Sequence, residues 1–342
     1  DQGTEYPVPY CFWRPGPDTR PGQQFPNAAT FRTLVPRTCV LAKPVPGSDS
    51  GPWLKGTNEE HAVWNSVFDA SVQSHYRARK GITTDLNGVY FVRVFPVAGE
   101  EGSNIWVQND PTIGRKSEIA QVRKIVEKTH VFPLIRGRGV NPFQAIPDPN
   151  FKVIVPQRGM HGDATLPTSA PRTYGYFSGF ETHLRQRASY RRYQQGQPYW
   201  STWSTGAYTF SRYKVLWREM AGRRFCAAYV SPANDAVLGE RVVIPDHKLY
   251  FVSVDTEDEA AYLTAILNAP VISSAISAYA AQLSLGTSVI ENLRIPAFDL
   301  DVPNHLGLSK IGKEATEREG LLTQEDFEAL DRLAFDVVSG HP

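Results

Sequence analysis

Between His183 and Phe225 the chain carries nine basic residues, Arg185, Arg187, Arg191, Arg192, Arg212, Lys214, Arg218, Arg223 and Arg224, against one acid, Glu219. Interleaved with them are Tyr190, Tyr193, Tyr199, Trp200, Trp203, Tyr208, Phe210, Tyr213 and Trp217. Guanidinium groups are planar and bidentate, which suits phosphates and guanine edges. Aromatic rings stack on an exposed base or wedge into a groove. Gln194, Gln195 and Gln197 add side chains that pair with adenine edges, and Gly196 and Gly206 give their loop freedom to move. Arg136, Arg138 and Arg158 extend the same sign of charge upstream. The competing reading assigns Phe210, Tyr213 and Trp217, and Trp200 and Trp203 with them, to the core. A 43-residue window with one acid is harder to bury, so contact with a nucleic acid is the favoured reading.

The charge pattern of the whole chain agrees. Residues 1–114 carry 10 Lys+Arg and 11 Asp+Glu, residues 115–250 carry 21 and 9, and residues 251–342 carry 5 and 15. A net charge of +1 thus hides a basic middle and an acidic end. An acidic tail folded back on the basic middle is the bland alternative.

Other chemistries find no support. There is no phosphate loop ending in Gly-Lys-Ser/Thr and no Gly-x-Gly-x-x-Gly turn. Gly137-Arg138-Gly139 is too short to be a nucleotide site. The eight histidines are scattered, and His161 with Asp163, and His247 with Asp246, read as solvated loop polars. No Gly-x-Ser-x-Gly elbow is present. Cys11, Cys39 and Cys226 lie far apart, which argues against a disulfide scaffold or a paired-cysteine zinc site and fits a reducing bacterial cytoplasm. No apolar run is long enough to cross a membrane, and no signal-peptide pattern opens the chain, so no membrane partner is expected.

The elements that must position these residues follow from patterning. Residues 1–56, rich in Pro and Gly, read as irregular β structure with apolar runs at Phe31 to Val35 and Cys39 to Ala42. Thr57 to Glu60 resembles a capping box ahead of a helix reaching about His75. A strand is expected within Gly88 to Val97, a basic helix from Gly114 through Val126, and a strand over Phe151 to Val155. Glu181 to Tyr193 reads as one helix. Four short strands follow, over Tyr213 to Arg218, Phe225 to Val230, Arg241 to Ile244 and Leu249 to Val254. Helices are expected at Ala260 to Leu267, from Pro270 to about Leu283, and around Phe327 to Val337, with a strand at Val289 to Ile295. Strands cluster without regular alternation with helices. That predicts an α+β fold of mostly antiparallel twisted sheets with flanking helices and a helical C-terminal appendage. Three regions are expected: a Pro/Gly-rich N-terminal region at 1–75, a middle region at 76–300 that carries the basic and aromatic residues, and an acidic helical segment at 301–342.

Several segments together resemble a known family. Gly81-Ile82-Thr83-Thr84-Asp85-Leu86-Asn87-Gly88-Val89-Tyr90-Phe91 resembles a segment of gamma-type adenine-N6 DNA methyltransferases that follows their catalytic domain. Phe132 to Val140, with Arg136-Gly137-Arg138, is similar to their Leu-Arg-Gly-Arg-Asp-Ile stretch. Tyr199-Trp200, Gly206 to Phe210 and Tyr213 to Arg218 resemble their Gly-x-Tyr-Thr-Phe … Lys-Val-x-Trp region. Ala265 to Pro270 and Ile290 to Pro296 resemble their closing helix and strand. The resemblance spans roughly residues 76–300. It departs at Thr83, Asp85 and Gly139, where the family has Lys, Gly and Asp.

This resemblance implies the C-terminal target-recognition region of such enzymes, including type IIG restriction–modification enzymes. Double-stranded DNA is then the expected partner, with Arg136, Arg138, Arg158, Arg185, Arg187, Arg191, Arg192, Gln195, Gln197, Trp200, Trp203, Arg212, Lys214, Arg223 and Arg224 as contacts. The family's S-adenosylmethionine turn and its Asn/Asp-Pro-Pro-Tyr/Phe loop are both missing. Asp148-Pro149-Asn150-Phe151 comes nearest, but it lacks the second Pro and an upstream glycine-rich turn. No catalytic residue and no cofactor are therefore expected in this chain; S-adenosylmethionine would belong to a catalytic methyltransferase domain, in cis or in trans. A separate specificity subunit and an independent hydrolase or nuclease are the alternatives.

Overall fold

The computed structural model describes residues 4–340 apart from 21, 49–52, 72–73, 99–101, 115–117, 221–223 and 280–285; for Val289 it describes the backbone alone. The fold is α+β. A six-stranded sheet runs in the order Ile244–Pro245, Val131–Ile135, Lys152–Ile154, Phe91–Phe95, Asn104–Asn109 and Arg123–Glu127. A four-stranded sheet runs Ala227–Val230, Tyr213–Arg218, Leu249–Val254 and Arg79–Lys80. Every ladder in the two is antiparallel except that between Ile244–Pro245 and Val131–Ile135, which is parallel.

The strand Tyr213–Arg218 shows how the halves join. Val215 and Trp217 point into a core shared with the helices Glu257–Asn268, Pro270–Tyr279, Pro303–Glu317 and Gln324–Ser339. Leu216 points the other way, into a smaller cluster with Ile135, Val140, Val243 and Phe251 that bridges the two sheets. The six-stranded sheet has its own core, closed by Leu166, Tyr176, Phe177, Leu184, Tyr199 and Trp200.

Capping follows the chemistry of the sequence. Thr57 and Glu60 form a reciprocal capping box on Asn58–Val67, and Thr256 caps Glu257–Asn268. The acidic C-terminal helices share the core of the four-stranded sheet. Pro303–Glu317 lies so close on Glu257–Asn268 that a Cβ at Gly312 would sit 2.2 Å from the Ala261 carbonyl oxygen. No single described helix is long and apolar enough to cross a membrane.

Several expectations are corrected. The basic helix from Gly114 is instead a strand, Arg123–Glu127, since β-branched Ile125 and Val126 find ladder partners on Asn104–Asn109. Phe31 to Val35 lies mostly in a helix, Ala28–Leu34, whose N-cap Asn27 accepts from the Thr30 amide. The expected strand at Val289 to Ile295 is a helical turn, Ser288–Glu291, followed by a bridge between Leu293 and Phe68. Glu181 to Tyr193 is broken into Glu181–Arg185 and Ala188–Tyr193. Cys11 and Cys39 do not stay apart: strands Val8–Trp13 and Arg37–Pro44 place them directly opposite, joined by one disulfide with Cα atoms 4.1 Å apart. Pairing between strands, not spacing along the chain, decides that contact.

Candidate nucleic-acid interface

Arg187 explains the break in the helix. Its guanidinium is buried and donates to the carbonyls of Leu184 (2.9 Å), Thr84 (2.9 Å), Tyr199 (2.6 Å) and Ser201 (2.8 Å), with its Cζ 5.2 Å over the Tyr90 ring. A buried guanidinium needs such a shell, because desolvating it unpartnered is costly. Arg187 is therefore a bracket that holds the 199–201 loop against the turn at Thr84, and its expected role in contacting DNA is withdrawn.

That turn carries the departure from the family pattern. Asp85 adopts φ 52°, the left-handed conformation that glycine favours and that Asp tolerates. Its Oδ2 accepts the Ser189 amide at 2.6 Å, placing a carboxylate at the N-terminus of Ala188–Tyr193. Asp85 thus keeps the turn tight and caps the helix.

Two loops are then knitted into one surface. Gln157 accepts from the Thr202 amide (2.6 Å) and donates to the Thr202 carbonyl (3.2 Å). The Ser201 hydroxyl accepts from the Gly162 amide at 2.7 Å, and Trp200 Nε1 donates to the Asp163 carbonyl at 3.2 Å. Only glycine fits at 162, where a Cβ would meet Trp200 Cδ1 at 2.7 Å. Trp203 exchanges two backbone hydrogen bonds with Thr83, 2.8 and 2.9 Å. Segments 81–85, 157–163 and 194–206 thereby form one platform beneath the helix Ala188–Tyr193.

On this platform Arg191, Arg192, Gln195 and Gln197 are exposed. Among the described residues, neither arginine has a carboxylate partner. Tyr193, 48% exposed, stacks on Trp203 with ring centroids 4.4 Å apart and planes at 15°, and Arg192 lies 5.2 Å over the Tyr193 ring. Arg185 is anchored to Glu181 at 2.7 Å and lies over the Tyr199 ring. In the adjoining loop Arg158 is exposed, its Cζ 4.5 Å from the Phe210 ring. Partial burial, and then the neighbouring Arg241, lower its pKa from the ordinary arginine value.

Other expected contacts lie elsewhere. Lys214 is buried, donates to the Ser211 carbonyl, and is pushed down to about 7 by desolvation, so it is no phosphate ligand. Trp200 is buried and is core, not a base reader. Gln194 is also buried, its amide bonded to the Met160 and Thr202 carbonyls. Arg224 donates to Ser273 Oγ on the helix Pro270–Tyr279, away from the platform. Arg212 is exposed and pairs with Glu240 at 3.4 Å. Arg136 and Arg138 flank the buried Asp148 carboxylate at 3.8 and 2.6 Å. Arg223 lies outside the described residues.

Asp148 also accepts from the amides of Asn150 and Phe151. Its carboxylate is thus fully engaged, and the Asp-Pro-Asn-Phe segment does not fit the amine-accepting loop of a methyltransferase. Tyr193, absent from the expected contacts, joins the exposed face of the platform; its place among the basic and aromatic residues was the available signal. For 157–163 the signal in the sequence was the charge of Arg158; the pairing of Gln157 and Gly162 with the 200–202 loop had none.

No family model matches the sequence, and no curated protein matches it. Among solved structures, the type IIL restriction-modification enzyme MmeI, solved in complex with DNA, aligns over 90% of this chain and 37% of its own, with TM-score 0.47 and 10% identity. The type IIG restriction endonuclease BpuSI aligns over 82% of this chain and 33% of its own, with TM-score 0.37 and 13% identity. This chain spans about a third of the length of each. Both TM-scores lie below 0.5, so neither likeness bears weight on fold or function.

Proposed function

We propose that this chain is the DNA target-recognition part of an adenine-N6 DNA methyltransferase in a restriction–modification system. One observation carries the DNA reading: Arg191 and Arg192, exposed and without carboxylate partners among the described residues, stand beside the exposed Tyr193, which stacks on the half-buried Trp203, and the amides of Gln195 and Gln197. Cations without internal partners are available to phosphates, which position a duplex; amides and rings are available to bases, which specify it. The sequence resemblance over residues 76–300 supports the methyltransferase assignment. In this reading the flipped adenine and S-adenosylmethionine are held by a catalytic domain acting in cis or in trans, and this chain holds the distorted duplex.

The test is a titration of the chain with duplex DNA between roughly 50 and 200 mM salt. Affinity should fall steeply with salt. Replacing Arg191 and Arg192 by Ala should weaken binding to all sequences and flatten the log–log slope by about two units. An unchanged slope removes this platform from the interface. S-adenosylmethionine should not bind this chain alone; tight binding would contradict the division of labour.

A further inference from the structure

Beside the Tyr193–Trp203 stack, the loop 195–200 borders an open cavity of 940 Å³. Its wall is aromatic. Trp200 meets Tyr174 edge-to-face at 5.4 Å and Tyr199 at 4.8 Å. The Tyr190 hydroxyl is fixed by donating to the Gln197 carbonyl at 2.8 Å and accepting from Arg185 at 3.3 Å. The Tyr199 hydroxyl is buried beside the Tyr174 phenol, and burial raises its pKa, keeping it a neutral phenol.

The rim is polar and unspent. Among the described residues, the side-chain amides of Gln195 and Gln197 make no hydrogen bond within the protein, and Arg191 has no carboxylate partner. Glu181 pairs with Arg185, at 2.7 Å. An aromatic wall, two free amides and one free cation around a single cavity match the parts of one nucleotide: a flat ring, a hydrogen-bonding edge and a phosphate.

We infer that this cavity receives a single nucleotide extruded from the DNA. The base lies against the Tyr174 and Tyr199 rings, which Trp200 backs from the core, Gln195 and Gln197 meet its edge, and Arg191 meets its phosphate. This rests on the platform being a DNA interface. It adds that the chain itself binds an unstacked base, separately from any base taken by a catalytic domain. Extruding a base from an intact duplex costs a few kcal/mol, and one already unpaired costs less.

The test compares two duplexes of one sequence, one fully paired and one carrying a single unpaired nucleotide, with each of the four bases at the bulge in turn. The whole chain should bind at least one bulged duplex about tenfold or more tighter than the paired one. A 2-aminopurine at the bulge should change its emission on binding. Ala164→Trp fills the cavity from its exposed rim. With its melting temperature checked, it should bring the ratio toward one, and Gln197→Ala should lower it. A ratio of one in the unaltered chain for all four bases overturns the proposal, as does a ratio that survives Ala164→Trp. Equal, salt-sensitive binding of both duplexes sinks the cavity alone; binding of neither also sinks the DNA interface.

Discussion

Trp200 and Trp203 stand three positions apart and do opposite things. Trp200 is buried with its indole N–H bonded, so Trp200→Ala should cost about 3–5 kcal/mol of stability. Trp203 is half-buried beneath Tyr193, and its fixed part is the backbone pairing with Thr83. Trp203→Ala should lower the melting temperature far less and cost about 1–3 kcal/mol of binding to cognate DNA. Thermal melts alongside cognate and random duplexes separate the two outcomes; early melting of Trp203→Ala would end its assignment as a stacking residue. Lys214 gives a pH signature. Folded, it releases its proton near 7; unfolded, it keeps it up to the ordinary lysine value of 10.5. The unfolded chain then binds more protons in that window, so stability rises with pH between about 7 and 10.5. Lys214→Met should stabilise by about 1–4 kcal/mol below pH 7, and the gain should vanish toward pH 10.5. Melting curves across that range would show a flat difference if the ammonium were solvated.

At the scale of elements, the sharpest constraint is the contact between Pro303–Glu317 and Glu257–Asn268. A methyl group at residue 312 has no room against the Ala261 backbone. Gly312→Ala should cost about 1–3 kcal/mol or more, because helix backbones cannot yield as a flexible side chain does. Chemical denaturation measures it, and a loss under about 0.5 kcal/mol would mean the helices separate easily. The same contact decides how to test the acidic helices. Deleting them would strip Leu308, Ala315, Leu330 and Ala334 from the core, so surface substitutions are the informative experiment. The broken helix at Arg187 makes a second point: a residue that looked like part of a basic face turned inward because four carbonyls converge on it.

Across the whole molecule, the exposed basic platform and the acidic C-terminal helices pack on different sheets. The platform packs on the six-stranded sheet and the C-terminal helices on the four-stranded one. Surface charges further apart than about 8 Å are largely screened at physiological salt. Glu325→Gln with Glu328→Gln should therefore leave DNA affinity at ~0.15 M salt within about twofold. A gain beyond tenfold would show that the acidic helices mask the interface.

Much of this was determined by sequence alone. Local rules are enough for the Thr57–Glu60 capping box, the helix after Thr256 and the strand Tyr213–Arg218, because each rests on neighbours along the chain. The density of cations and rings near residues 185–203 was equally plain. Which of those side chains face water was decided only by tertiary structure. Arg187 and Arg191 have the same chemistry four residues apart, yet one is buried among carbonyls and the other is exposed. The difference comes from Thr84, Tyr199 and Ser201, brought together by sheet pairing and turns that no local pattern encodes. The strand Arg123–Glu127 and the Cys11–Cys39 bond have the same origin: partners distant in sequence supply the free energy that overrides local preference.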